Sequence, residues 1–249
     1  MTAIIPAAGK GTRFLPVTRV IPKEMLPVGS KPAIHLIVDE ALEAGADDVV
    51  IVISEEKEII RRYFDGEESL KGKVRFTYQR EQRGLGHAVL QAADGVGGAV
   101  LVLLGDALVS GPNPSAEMVA VSERNSGASV IGLERVPPEK VGRYGIVATD
   151  GPYPPRGGSA RIVDLVEKPE AGEAPSDLAI AGRYLLDPEI FALLATQTPG
   201  HGGEIQLTDA IRRMLGERQV FGFVYPGKRQ DIGNPKGYLA ALEEFNGNG

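Results

Sequence analysis

Along the first 110 residues, short apolar runs alternate with stretches whose apolar positions recur at helical spacing. Ala3 to Ala8 reads as a buried strand, and so do Asp48 to Ile53, Val74 to Gln79 and Ala99 to Leu104, because short unbroken apolar runs suit strands covered on both faces. Between the first two, Pro32 stands where a first helical turn begins, Ile34, Ile37, Val38, Ala41 and Leu42 repeat on one face, and Gly45 closes the helix. Glu56 to Phe64 and His87 to Ala93 supply two more helices. Strand and helix in turn predict parallel β-α-β units, with ligands at the carboxyl ends of the strands.

The second half is less regular. Pro114 to Ser126 predicts a helix, and Ala128 to Glu134, Gly145 to Ala148, Ile162 to Val166, Ala179 to Leu186 and Val220 to Tyr225 predict strands. Helices follow from Pro188, from Leu207 and over Pro235 to Phe245. Residues 150–158 form a loop rich in turn-forming residues. No internal repeat or linker interrupts the chain, so it reads as one domain with two halves, 1–110 and 111–249.

Candidate chemistry begins where the first strand ends, at Gly9-Lys-Gly11-Thr12-Arg13. Glycines past a strand end let the backbone bend and turn successive N–H groups toward an anion. Arg13 adds a charged fork and Lys23, in Ile21-Pro-Lys-Glu-Met-Leu-Pro27, a point charge, which together suit a polyphosphate. A P-loop needs Gly-Lys-Ser or Gly-Lys-Thr, which the sequence lacks. A dinucleotide fingerprint needs a third glycine where Phe14 stands. A glycine pair alone is commonly an ordinary turn; the longer string, with Pro22-Lys23 and Leu26-Pro27, is far more specific.

That string resembles the signature of the sugar-phosphate nucleotidyltransferases, G-x-G-T/S-R followed by P-K-x-x-L-P, and most closely the bacterial UTP–glucose-1-phosphate uridylyltransferases. Further motifs recur in the family's order: Gln79 five residues before Gly84-Leu-Gly-His-Ala88, Leu103-Leu-Gly-Asp106, Tyr144-Gly145, Glu167-Lys-Pro169, Ala181-Gly182-Arg-Tyr184, Glu204-Ile-Gln-Leu-Thr208 and Lys228-Arg-Gln-Asp231. The resemblance implies the nucleotidyltransferase fold: α/β, with a Rossmann-like mixed, mostly parallel sheet flanked by helices and a smaller sugar-binding β portion. It makes 1–110 the nucleotide-binding half and 111–249 the sugar-phosphate half.

The same resemblance implies roles. Ala7, Ala8, Gly9, Gly11, Thr12, Arg13, Glu24, Gln79 and Gly84 would hold the nucleotide, Gln79 reading the base. Gly145, Glu167, Lys168 and Gly182 would hold the sugar phosphate. Asp106 and Asp231 would bind Mg²⁺, and Arg13, Lys23, Asp106 and Lys168 would carry the chemistry. His87 reads as a packing or hydrogen-bonding residue at a helix start, and Arg183 and Tyr184 as structural. The implied reaction joins UTP and glucose 1-phosphate into UDP-glucose and pyrophosphate. A dTTP-dependent enzyme and a catalytically retired regulatory protein remain as alternatives, though retention of Arg13, Lys23, Asp106, Lys168 and Asp231 argues against the second. Only Asp65 to Lys73 separate the second helix from the third strand, where many family members carry a longer helical insertion, so a homo-oligomer is allowed but not carried over. Lys10 replaces a commonly apolar or aromatic residue of the glycine loop.

Composition narrows the alternatives. The net charge of −6 is diffuse, with no basic run, which argues against nucleic acid as partner. There is no cysteine, hence no disulfide or thiolate chemistry, and His35, His87 and His201 are too scattered for a zinc cage. Neither a signal peptide nor a membrane span is visible, so a cytoplasmic protein is expected.

Overall fold

The computed structural model of the chain describes residues 1–170 and 172–246; Ala171 and residues 247–249, the end of the expected second half, lie outside them. Strand β1 (Thr2–Pro6) is followed by a hairpin of β2 (Pro27–Val28) and β3 (Lys31–Pro32), then helix α1 (Ala33–Glu43). Next come β4 (Asp48–Ile53), α2 (Glu58–Asp65), β5 (Val74–Tyr78), α3 (Leu85–Leu90) and β6 (Val100–Leu103). β7 (Ala107–Val109), α4 (Pro114–Arg124), β8 (Ser129–Arg135), β9 (Gly145–Thr149), β10 (Ser159–Glu167) and β11 (Leu178–Leu186) follow. The chain closes with α5 (Ile190–Ala195), α6 (Leu207–Met214), β12 (Val220–Val224), β13 (Arg229–Asp231) and α7 (Pro235–Asn246).

One nine-stranded sheet runs in the order β5-β4-β1-β6-β11-β8-β12-β10-β9. β1 is parallel to β4 and β6, with Ile4 level with Val50 and Val102. Its alternate residues enter different cores, as a two-residue period requires. Ala3 and Ile5 pack with α1, α2 and α4 through Ile37, Ile60 and Met118, while Ile4 packs on the face of α3, α5 and α6 through Val89, Ile190 and Ile211.

The expected mixed sheet is present, but it is not mostly parallel: among the described strands the parallel pairs are β5–β4, β4–β1, β1–β6 and β12–β8, and the others are antiparallel. Beyond β6, β11 runs antiparallel to both β6 and β8, and β10 antiparallel to β12 and β9. β10 begins before the expected Ile162 because Ser159 to Arg161 pair with β12, a contact no local pattern encodes. α3 begins at Leu85 rather than His87, directly after its N-cap Gly84, which turns the chain into the helix at a φ of 102°. A separate antiparallel ladder of β7 with β13 sets Asp231 opposite Ala107. The loops after β1, β5 and β6 therefore open at one edge, as doubly wound sheets dictate.

Candidate active site

The loop after β1 faces two carboxylates that are far apart in sequence. Asp106 sits in the turn between β6 and β7, and the β7–β13 ladder carries Asp231 beside it. Lys23 Nζ donates to Asp106 Oδ2 at 2.5 Å. Arg13 spans both acids, with Nη2 3.9 Å from Asp106 Oδ2 and Nη1 3.4 Å from Asp231 Oδ2. Burial pushes the Asp106 carboxyl up, but Lys23 and then Arg13 and Arg229 outweigh it and hold it below the usual carboxylate range. Gly233 makes the convergence possible, since a Cβ there would stand 2.6 Å from Arg13 Nη2, 2.7 Å from Asp106 Oδ2 and 2.8 Å from Asp231 Oδ1.

A buried ion pair supports the loop from beneath. Lys57 Nζ donates to the Ala7 carbonyl at 2.6 Å and to Glu24 Oε2 at 2.8 Å. Burial raises the Glu24 carboxyl and lowers the Lys57 ammonium, each partly offset by the other's charge. Glu24 and Ala7, expected among the nucleotide contacts, are thus engaged by Lys57, to which nothing in the sequence points, since a lone lysine before a helix carries no signal. Gln82, equally unsignalled, donates from Nε2 to the Ala8 carbonyl at 2.9 Å.

Two cavities flank this loop. One, of about 350 Å³, is lined by Ala8, Gly9, Lys23, Glu24, Gln79 and Gly84, with Asp106 at its wall. The other, of about 520 Å³, is lined by Gly11, Thr12, Lys10, Arg19, Lys23 and Lys57, with Glu56 the acid among them. The Glu204-Ile205 segment packs onto the first: Gly86 N donates to Ile205 O at 2.8 Å and Ile205 N to Arg83 O at 2.7 Å. At Gly84 a Cβ would meet Glu204 Cβ and Ile205 O at 2.8 Å, so the close approach needs glycine there.

A second cluster gathers on the antiparallel half. Gly145 and Glu167 are register partners of β9 and β10. Thr208, at the start of α6, donates to Glu167 Oε2 at 2.7 Å, and Lys168 Nζ lies 3.2 Å from Glu167 Oε1. Gly182 stands where β11 crosses β6; its φ of 82° and its carbonyl, which accepts from Leu104 N at 3.0 Å, mark the irregularity between Ile180 and Tyr184. Arg183 is fully buried, bidentate to Glu40 at 2.8 and 2.7 Å, and donates to the carbonyls of Ala107 and Gly182.

Chemically, the first cluster offers cations and backbone for a polyphosphate and two hard oxygen ligands for a divalent ion; the second offers a cation and acceptors for a phosphorylated polyol.

The chain as a whole is similar to known proteins. Residues 2–247 match the nucleotidyl transferase family. The chain is 42% identical to UTP–glucose-1-phosphate uridylyltransferase 2 of Staphylococcus saprophyticus, over 98% of this chain and 91% of that protein. It is also 42% identical to the UTP–glucose-1-phosphate uridylyltransferase of Bacillus subtilis, over 98% and 90%. Its fold is similar to that of a UDP-glucose pyrophosphorylase solved with UDP-glucose, at TM-score 0.89 and 35% identity, covering 100% of this chain and 99% of that one. A UTP-bound UGPase from Acinetobacter baumannii matches at TM-score 0.85 and 38% identity, over 97% and 91%.

Proposed function

The chain belongs to the nucleotidyl transferase family, and from that premise we propose that it transfers a uridylyl group from UTP to α-D-glucose 1-phosphate, releasing pyrophosphate. The observation that carries this reading is the convergence of Arg13, Lys23, Asp106 and Asp231 at one end of the parallel strands, beside a cavity ending on Gln79. The named relatives at 42% identity, and solved structures holding UTP and UDP-glucose, support the choice of nucleotide and sugar.

In this reading residues 1–110 bind the nucleotide, and residues 111–249 bind the sugar phosphate while lending Asp231 to the first site. A phosphate oxygen of glucose 1-phosphate attacks the α-phosphorus of UTP. The new P–O bond forms as the bond to the β-phosphate bridging oxygen breaks, and pyrophosphate leaves with that electron pair. The attacking phosphate is already largely ionised at neutral pH, so no general base is needed. Positioning and charge neutralisation are the protein's contribution. The backbone of Gly9, Gly11 and Thr12 borders the triphosphate, Arg13 and Lys23 neutralise the departing pyrophosphate, and Lys168 holds the attacking phosphate. Glu167, fixed by Thr208, accepts from sugar hydroxyls beside Gly145 and Gly182.

The two carboxylates fit Mg²⁺, which is commonly held by one or two acids with substrate phosphates completing its shell. Asp106 and Asp231 would hold it, with the Gly233 cradle leaving room between them. The chemistry a bound divalent cation supplies here is charge neutralisation of the triphosphate oxygens. No described helix is long and apolar enough to cross a membrane; a cytoplasmic location fits a reaction whose nucleotide and sugar-phosphate substrates are charged.

The test is pyrophosphate release with Mg²⁺, crossing UTP, dTTP, CTP, GTP and ATP with glucose and galactose 1-phosphates. UTP with glucose 1-phosphate should give the highest kcat/KM. Preference for dTTP would move the reading to a thymidylyltransferase, and no release by folded protein would overturn it.

A further inference from the structure

Gln79 directly follows β5, with its side chain in the wall of the 350 Å³ cavity and only 5% exposed. Its Nε2 donates to the carbonyl of Gly84 at 3.0 Å and lies 3.0 Å from His87 Nδ1 in the first turn of α3. A backbone carbonyl only accepts, so the amide end facing Gly84 is the NH₂. With one amide hydrogen on Gly84, the other points at His87.

His87 therefore has to offer a lone pair at Nδ1 and carry its proton on Nε2. Burial lowers the pKa of this imidazole, the nearby Arg83 guanidinium adds to the effect and Glu81 opposes it, so a neutral ring is favoured at neutral pH. The other ring nitrogen, Nε2, lies 3.3 Å from Gln91 Nε2; with the imidazole proton on Nε2, the Gln91 amide has to be turned end for end so that its oxygen accepts. Both hydrogens of Gln79 are then spent on the protein. Among the described residues no hydrogen bond is donated to Gln79 Oε1, and that atom is not a buried orphan. A carbonyl oxygen is all that Gln79 has left for a ligand.

We propose that His87 is a positioning residue for base selection: by accepting the second amide hydrogen of Gln79 it holds Oε1 free for the base, so the site demands a ring N–H and rejects cytosine. Uracil presents N3–H to such an acceptor, whereas cytosine presents an unprotonated N3 whose lone pair faces the oxygen lone pair. Leaving both acceptors unpaired costs roughly ten- to a hundredfold in affinity. The same logic admits thymine, so this device sets imino against amino pyrimidines and does not act on the 5-methyl group. His87 exchanges no proton with substrate. The inference rests on the reading of the cavity as the base subsite of the proposed transferase.

The experiment compares UTP and CTP as substrates for the wild-type protein, H87A and H87N, the last because an asparagine Oδ1 replaces Nδ1 as acceptor. H87A should raise KM for UTP about tenfold with kcat within about twofold, and should lower the UTP-to-CTP ratio of kcat/KM at least tenfold. H87N should restore most of that ratio. An unchanged ratio in H87A, or equal loss for both nucleotides with no rescue by H87N, would overturn the proposal. Nitrogen-15 chemical shifts of the wild-type imidazole give a readout that needs no variant: an Nε2–H tautomer is expected, and an Nδ1–H tautomer overturns the proposal. Failure of the transferase reading looks different, because wild-type protein would then turn over neither nucleotide. Calorimetric binding of UTP and CTP to the same three proteins would in that case still judge the role of His87.

Discussion

Lys23 Nζ and Asp106 Oδ2 stand 2.5 Å apart, joining positions 83 residues apart in the chain. The ammonium keeps the acid ionised despite its burial and at the same time borders both cavities beside the glycine loop. Replacing Lys23 with Met should lower kcat by about two to three orders of magnitude, the loss expected for one preorganised group that stabilises transition-state charge. Steady-state pyrophosphate release measures it. K23R should not restore the rate, because a planar fork does not replace a compact charge.

The same pair predicts an effect of pH. The folded-state pKa of Asp106 lies below its ordinary value, so its stabilisation is fully present above about pH 4 and is lost as pH falls through the folded pKa. Without Lys23 that folded pKa rises. The acid limb of stability in K23M should therefore move to higher pH than in the wild-type protein, as thermal melts across the acid range would show. Superimposable acid limbs would contradict the assignment.

Gly233 should tolerate no side chain. Its Cβ would intrude on Arg13, Asp106 and Asp231 together, so G233A should weaken Mg²⁺ affinity and cut kcat at least tenfold, roughly what a displaced charge contact costs. Circular dichroism should remain that of the folded protein. Retention of full metal affinity would count against the two-aspartate site.

On the sugar side, G145A would bring a Cβ to 3.2 Å from Glu167 Oε2 and Thr208 Oγ1 and to 2.9 Å from Ile180 Cδ1. KM for glucose 1-phosphate should rise about tenfold, the scale of one disturbed hydrogen bond to a charged group. KM for UTP should stay unchanged. Equal effects on both substrates would remove the distinction between the two subsites.

Beneath the loop, K57M would leave Glu24 buried without its cation and should destabilise the protein by about 3–5 kcal/mol in urea unfolding. Adding E24Q should recover much of that loss, since the uncompensated charge is gone. A double variant no more stable than K57M would show that the Ala7 contact, and not the ion pair, carries the effect.

Local chemistry made much of this molecule legible. The apolar runs of β1, β4, β5 and β6, the proline start and glycine stop of α1, and the glycine loop with Arg13 all depend on residues adjacent in the chain, where steric limits and side-chain period act directly. Asp106 was legible for the same reason, as an acid just past an apolar strand. Tertiary structure alone decided the rest. Register between β7 and β13 set Asp231 beside Asp106, and the folded sheet put Lys57 under a loop 50 residues earlier. It also matched Arg183 to Glu40 across 143 residues. Such partners are selected by which buried charge or open backbone group lies within hydrogen-bonding reach once the layers close, and no short-range period encodes that distance.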